Sequence, residues 1–577
     1  MNGQARRLAV MLAIMVLAAG CRAPAAPPIV LDTPTDGWGP AVGSPEGLPA
    51  IGAVGIGPKR ELRINGEPFF PVMGWLQGPE NLPKLKAVGI NTIAGYWRPT
   101  DGTPGAGGGA HGYAEYARRA GLYFVPVYEP QHAGEMAALL KGGDVVLAWI
   151  HDDEPDMPKT VSDAAVNPGD TLAVNSSRPL WKMFDGDANS SAVLDPMVGA
   201  GFSIHLPRAA TVHSLAVTSY SRRADGPVAK DVTFEFDDGT GAVTGWHATL
   251  KNSAGRQIIE LERPVSLRTL IVVVRTVDRT GDNGDRKWGA LHEVEALDAD
   301  GNNVLKSVPR KVPRRSPDEV MAKYRTFKRF DRMRPLMMTV SCFYINDPRL
   351  DHWWTKEQAD AVYPDLFKAA DMPGFDVYPI YGWNLPEKLI WVTQGVNELR
   401  AYAGARKPTY VWLETQPGGK FGDKAHPVTG REMRNEAWQA IIRGATAIGW
   451  FTHRFKPTFA EFGVPEENIE PLRRINEQIV RLGPAILAPE GRTPAHIAIK
   501  GGLTAQLMTR EYDGRVYVFA QNLDMARRGG TAKIAVDGLK EGTKIEVIDE
   551  DRTVTAGAGA FTDEFGPLAV HIYRFTM

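Results

Sequence analysis

The sequence predicts an α/β chain in which a (β/α)8 TIM barrel is interrupted by one β-sandwich and followed by a second. Three observations predict it. Short apolar strands alternate with helical segments across residues 56–158, and the same alternation resumes across residues 311–490. Between these halves, over residues 159–310, and again over residues 491–577, short β runs separated by polar turns replace the alternation. Eight barrel strands can be counted, four on each side of the insertion.

The chain opens with Arg6 and Arg7 followed by an apolar run over residues 8–19. That run is shorter than the roughly 20 residues a spanning helix needs and fits the apolar region of an export signal. Residues 22–55 are rich in Pro, Ala and Gly without hydrophobic periodicity, which predicts a flexible tether. A hairpin follows over residues 61–70, with Asn65-Gly66 supplying the positive φ of a tight turn. Barrel strands are expected at 70–75, 89–94, 122–127 and 145–150, with helices at 81–88, 112–120 and 134–140 between them. The fourth strand ends at His151-Asp152-Asp153-Glu154-Pro155, a burst of charge directly after an apolar run.

In the second half, Ser316-Pro317-Asp318-Glu319 predicts a helix start, with a Ser cap, Pro at the first helical position and Glu three residues after the cap. Strands are expected at 336–340, 374–378, 409–414 and 445–451, with helices at 358–370, 396–405 and 432–442. Six strand runs over residues 495–575 complete the chain.

Composition narrows the function classes. Lys+Arg 66 against Asp+Glu 67 leaves a formal net charge of -1, so the basic footprint of a nucleic-acid-binding protein is missing and no such partner is expected. The 14 Trp and 16 Tyr supply flat apolar faces that stack on the C–H faces of sugars. Of the two cysteines, Cys342 reads as a small buried apolar residue. There is no His-Glu-x-x-His, paired-Cys or calcium-loop pattern, so neither a metal nor a cofactor is expected in the barrel. Gly105 to Gly109 follow a Pro-containing loop and do not open a helix after a strand, which argues against phosphate binding there.

Four resemblances add to this reading. Leu17-Ala18-Ala19-Gly20-Cys21 resembles the bacterial lipobox, which implies cleavage before Cys21, lipid attachment to its thiol and membrane anchoring of an exported protein. Arg22 in place of an Asp favours the outer membrane. The segment from Trp181 to Asp187 and the run from Trp288 to Val294 resemble a discoidin-like (coagulation-factor type C) carbohydrate-binding domain, a fold compatible with a structural Ca²⁺. The hairpin before the first strand resembles the strand pair that precedes the barrel in many glycoside hydrolases. The barrel resembles the clan-A glycoside hydrolases, in which the acid/base follows strand four and the nucleophile ends strand seven. That resemblance implies Glu154 as acid/base and Glu414 as nucleophile of a retaining glycosidase on β-linked oligo- or polysaccharides. Asp153 stands where that clan commonly has Asn, so the contact to the sugar 2-hydroxyl departs from the pattern.

Independently of the resemblance, active sites of such barrels lie at the C-terminal strand ends, where Glu154 and Glu414 both fall. A charge terminating an apolar strand is costly unless it has a role. Trp75, Trp97, Tyr128, Tyr378, Trp383 and Trp450 sit at or just past strand ends and are candidates for sugar contact; Trp450 resembles the clan's subsite-floor tryptophan. Asp376 is a candidate for binding a hydroxyl or orienting Tyr378, and His151, His453, Gln416 and Arg98 are weaker candidates at the mouth. The competing reading is a non-catalytic surface glycan-binding lipoprotein built on a degenerate barrel.

Overall fold

The computed structural model describes residues 48–577 apart from 96–108 and short stretches at 142–143, 163–164, 170–171, 174, 176–177, 222–225, 279–284, 307–308, 351–352, 405 and 492. Cys21, Trp97 and Arg98 lie outside the described residues. The chain divides into two compact units, one of residues 1–157 with 313–577 and one of residues 158–312. Among the described residues no helix is long and apolar enough to cross a membrane.

The first unit is built on eight parallel strands: β1 Val72–Trp75, β2 Thr92–Ala94, β3 Tyr123–Val125, β4 Trp149–Asp153, β5 Leu336–Ser341, β6 Met372–Asp376, β7 Tyr410–Glu414 and β8 Ala447–Phe451. Their order in the sheet is β3-β2-β1-β8-β7-β6-β5-β4. The two edge strands meet through parallel bridges at Phe124–Val146 and Val127–Ile150, so the sheet nearly closes into a barrel. The helices are α1 Leu82–Ala87, α2 Gly109–Arg119, α3 Ala133–Lys141, α4 Pro317–Phe330, α5 Lys356–Lys368, the short α6 Pro379–Trp383, α7 Trp391–Ala403, α8 Gly430–Ile442 and α9 Glu466–Ile486. The expected cap of α4 is present: Ser316 Oγ accepts from the Glu319 N–H and Glu319 returns the bond to the Ser316 N–H. Asn65 and Gly66, at φ 52° and 90°, turn the hairpin that leads into the barrel.

Side chains alternate between two apolar clusters. Met73, Trp75, Tyr410, Trp412, Ala447 and Phe451 fill the barrel interior, while Val72, Val411, Leu413, Ile448 and Trp450 pack among the helix-facing residues. Two glycines make room for the large interior rings. A Cβ at Gly374 would meet the Tyr410 ring at 2.5 Å, and one at Gly449 would meet the Trp412 ring at 2.1 Å.

The fourth strand departs from expectation. The run at 145–150 joins β3 only through isolated bridges, and regular pairing extends instead to Asp153. Against β5 the register runs Met337–Ile150 and then Thr339–Asp153, so His151 and Asp152 together oppose Met338 as a bulge.

C-terminal to α9, three-stranded and five-stranded antiparallel sheets enclose a separate apolar core containing Val518, Ile534, Ile545 and Phe561. The second unit holds a six-stranded antiparallel sheet in which Gly201–Ser219 and Ser253–Val274 are long central neighbours, each spanning two of the short runs expected from sequence. It has its own core, including Phe202, Leu215, Phe234 and Val272. Its first and last strands, Pro158–Ser162 and Pro309–Pro313, pair with each other.

The glycine that admits the Trp412 ring provides a direct stability test. Gly449→Ala is expected to lower the unfolding free energy by about 1–3 kcal/mol through overpacking, measured by urea denaturation; an unchanged midpoint would mean the ring is free to move aside.

Candidate active site at the barrel mouth

The bulge in β4 decides which acidic side chains face inward. His151 turns toward α4, where its Nε2 lies 2.8 Å from the Val320 carbonyl oxygen and its Nδ1 lies 3.2 Å from Asp152. Asp152 accepts from Lys323 of the same helix at 2.8 Å. Burial works against this carboxylate, but His151 and Lys323 hold it well below the usual range. The histidine expected at the mouth is therefore a structural one on the helix side. Asp153 and Glu154 follow, beside the ends of β5 and β6.

Glu154 is a left-handed residue at φ 48°, and its N–H donates to the Thr339 carbonyl at 2.9 Å. A non-glycine residue in this region is uncommon and concentrates at functional sites, where the surrounding structure enforces it. Its side chain is buried and forms a hydrogen bond with the carboxyl of Asp376 at the end of β6. Burial pushes Glu154 well above the usual carboxyl range, and the charges of Asp376, Asp153 and Asp156 push it further, against Arg314. Burial, Asp153 and Asp156 raise Asp376 likewise, while the bond from Glu154 lowers it. Two buried carboxylates in contact cannot both ionise, so Glu154 and Asp376 share a proton. Among the described residues the Oδ1 of Asp376 has no hydrogen-bond partner.

The surrounding groups hold this pair in place. Arg314 donates to the Asp153 carbonyl oxygen. Asp156 is wholly buried and accepts from the Ser341 N–H at 2.9 Å and the Tyr363 hydroxyl at 2.7 Å. Cys342, next along the chain from Ser341, is buried, and burial together with Asp376, Asp156 and Glu154 pushes its thiol well up, so it is no nucleophile.

Glu414 lies elsewhere in the electrostatic network. It is buried at the end of β7 and accepts from the N–H groups of Ile380 and Tyr381 at 2.9 and 2.5 Å. Its carboxyl also bonds to that of Glu436 on α8, whose oxygens have no N–H or hydroxyl donor. Burial pushes Glu414 up to about 8, against the two N–H groups and the Glu436 bond, with Glu432 adding to the rise. Neither Glu154 nor Glu414 is among the principal charges acting on the other. The structure therefore joins Glu154 to Asp376, and Glu414 to Glu436.

The expected aromatic residues separate into two groups. Trp75 faces the interior and meets Trp412 edge-on at 5.2 Å. Tyr378 lies within the field of Asp376, Asp153 and Glu154, with its ring 5.1 Å from Phe451. Trp383 is half-buried at the end of α6 against Trp391, at 5.4 Å. Tyr128 and Trp450 face the helices instead. Tyr128 packs on Phe327 at 5.1 Å and on Phe330 at 5.7 Å. Trp450 is fully buried and donates through Nε1 to Asn476 of α9 at 2.7 Å. Alternation along β8 turns Trp450 outward and leaves Phe451 as the interior ring, so Trp450 cannot floor a sugar subsite.

Sequence reasoning missed Tyr381, Phe451 and Phe455. Phe451 stands 5.6 Å from Tyr381, 5.1 Å from His453 and 6.3 Å from Phe455. Counting two residues on from the interior Gly449 would have found Phe451. His453 donates through Nε2 to the Leu76 carbonyl at 3.0 Å, and burial lowers its ring to about 4, so it is neutral with an unpartnered Nδ1. Gln416 is buried just past β7 with its amide nitrogen unpartnered. Among the described residues no group of three or more His, Cys, Asp or Glu side chains is arranged to hold a metal ion.

The buried Glu414 has a measurable consequence. An unfolded glutamate releases its proton near 4.5, whereas the folded chain retains it up to about 8. Wild-type stability should therefore fall with rising pH across that window relative to Glu414→Gln. Urea denaturation of both proteins from pH 4.5 to 8 would show it, and parallel curves would mean that Glu414 is ionised in the folded chain.

No family model matches the chain, and no curated protein matches it. Solved structures that are similar over part of it include CBM32-1 from a family 31 glycoside hydrolase of Clostridium perfringens, at 18% identity over 24% of this chain and 94% of that one, with a TM-score of 0.20. The family 32 carbohydrate-binding module of Clostridium perfringens NanJ, in complex with galactose, is 13% identical over 27% of this chain and 100% of that one, with a TM-score of 0.19. An alpha-amylase from Geobacillus thermoleovorans, complexed with acarbose, is 13% identical over 46% of this chain and 58% of that one, with a TM-score of 0.32.

Proposed function

We propose that the chain is a glycoside hydrolase acting on β-linked glycans, with Glu154 as its acid. The observation that carries this reading is the buried, proton-sharing pair of Glu154 and Asp376 at the C-terminal strand ends. Glycosidic cleavage needs one carboxyl that is protonated when substrate arrives and a second group that meets the oxocarbenium-like centre. Burial and three neighbouring carboxylates push Glu154 toward its protonated form, the state a general acid requires.

Glu154 would give its proton to the leaving oxygen. As a sugar enters, Asp376 exchanges the Glu154 hydrogen bond for contact with the substrate and opposes the developing positive charge. Retention calls for carboxyls about 5–5.5 Å apart and inversion for about 6.5–9.5 Å. The contact between these two carboxyls lies nearer the retaining separation than the inverting one, which favours the retaining route. Glu414, bonded to two backbone N–H groups and to Glu436, positions the short helix α6 that carries Tyr381. Trp75, Tyr378, Tyr381 and Phe451 offer ring faces for the sugar, with Asp153 and the His453 Nδ1 to accept its hydroxyls.

We further propose that residues 158–312 form a β-sandwich that holds the polymer near the mouth, and that lipid on Cys21 anchors the exported chain to the envelope. The first rests on the resemblance of the Trp181 and Trp288 segments to discoidin-like domains, and the second on the lipobox-like run ending at Cys21. Cells fed radiolabelled palmitate should label the wild type and not Cys21→Ser; equal labelling of both would remove the anchor.

The activity test is hydrolysis of a panel of aryl β-glycosides and polysaccharides by wild type, Glu154→Gln, Asp376→Asn and Glu414→Gln. Loss of kcat by about 10²–10⁴-fold is expected for Glu154→Gln, with a comparable loss for Asp376→Asn and a smaller one for Glu414→Gln. If Glu414→Gln is as inactive as Glu154→Gln while Asp376→Asn retains turnover, Glu414 is the second carboxyl instead. Affinity electrophoresis of residues 158–312 on the same polysaccharides tests the insert. Glycans that bind to all four proteins without turnover, but not to residues 158–312 alone, would make the barrel a binding platform.

A further inference from the structure

At the opposite end of the barrel, where α7 and α8 finish and the chain enters β7 and β8, a cavity of about 270 Å³ is lined by Arg60, Arg400, Arg443 and Arg510. Glu490 is the one acidic residue among its described lining residues. None of the four guanidiniums, among the described residues, is paired with a carboxylate; neutral oxygens hold three of them. Arg400 donates to the Arg443 carbonyl at 2.7 Å, Arg443 to the Gln506 amide oxygen at 2.5 Å, and Arg510 to the carbonyls of Ile486 and Thr509 at 3.0 and 2.9 Å.

Two donors are left over. Among the described residues, Arg60 Nη1 and Arg400 Nε are buried with no hydrogen-bond partner, a costly arrangement for charged groups unless a ligand meets them. The two guanidiniums also converge. A Cβ built on Gly444, which turns the chain at φ 99°, would lie 2.7 Å from Arg400 Nη1 and 3.4 Å from Arg60 Nη2. Placement near helix C-termini accounts for Arg400 and Arg443, since cations are favoured there. It accounts for neither Arg60 nor the gathering of four positive charges around one small space. Burial and the charge of Arg400 lower Arg60, and burial with the charges of Arg60 and Arg400 lowers Arg510 to about 10, despite Glu490.

We propose that this cavity binds a small multivalent oxyanion of the phosphate or sulfate class. Guanidinium forks match the tetrahedral oxygens of such ions bidentately, and a bound dianion would satisfy both leftover donors and offset the mutual repulsion. This site is independent of the glycosidase reading, because it lies at the strand N-terminal ends and shares no residue with the mouth.

The test is isothermal titration of the intact chain in chloride buffer with inorganic phosphate, sulfate and malonate at matched ionic strength, accompanied by thermal unfolding. Saturable one-to-one binding of phosphate or sulfate is expected, with a melting temperature that keeps rising with the logarithm of ligand concentration. Arg60→Gln and Arg510→Gln should each weaken binding by about tenfold or more, while the exposed Arg474→Gln should not change it. Preference between phosphate and sulfate identifies the ion, and equal binding of malonate widens the class to carboxylates. If no oxyanion gives a saturable isotherm with the wild type, or if all variants gain the same melting temperature by general salt exclusion, the proposal is overturned.

Discussion

Closing a parallel sheet on itself forces every second side chain of each strand into one narrow interior, and most of what the molecule presents at its mouth follows from that constraint. Tyr410 and Trp412 fill the interior because Gly374 and Gly449, on the flanking strands, carry no side chain there. The same alternation delivers Asp376 and Phe451 to the mouth and sends Trp450 to Asn476 on the helix side. One break in the rule matters more than its observance. The bulge at His151 and Asp152 turns both toward α4, so that the next two acidic residues, Asp153 and Glu154, meet Asp376.

The mouth then concentrates negative potential in a dry place. Asp153, Glu154, Asp156 and Asp376 lie close enough to shift one another, while Arg314 is the opposing charge among the main influences on Glu154. Such an arrangement stays folded only if protons or hydrogen bonds replace charge. Asp156 takes the bonds, from Ser341 and Tyr363, and the Glu154–Asp376 pair holds a proton. A second buried carboxyl pair, Glu414 with Glu436, works on the same principle against the N–H groups that open α6. The two pairs differ in what surrounds them: aromatic rings on one side, helix α8 and two N–H donors on the other.

The arginine cavity at the far end is the electrostatic complement of the mouth. Both ends gather like charges into a confined space, but the acidic groups can relieve the strain by holding protons, whereas guanidiniums cannot deprotonate. Glu490 offsets part of the repulsion, and the proposed oxyanion would offset the rest.

Much of this was legible in the residues themselves. The strand–helix rhythm, the Asn65-Gly66 turn, the Ser316 cap and the eight barrel strands follow from local chemistry, because turn residues, caps and hydrophobic period act over a few neighbours. Glu154 and Asp376 could be picked out as polar residues at strand ends. Sequence could not say which carboxyls would touch, since β4 and β6 are separated by more than two hundred residues and meet only once β5 lies between them. Nor could it place Trp450, Tyr128 and His151, whose direction depends on register and on one bulge that shifts the phase of β4. Partnering is a property of the assembled sheet. Residue type and period determined that this chain would build a barrel with acids at its strand ends, and tertiary closure decided which of those acids share a proton.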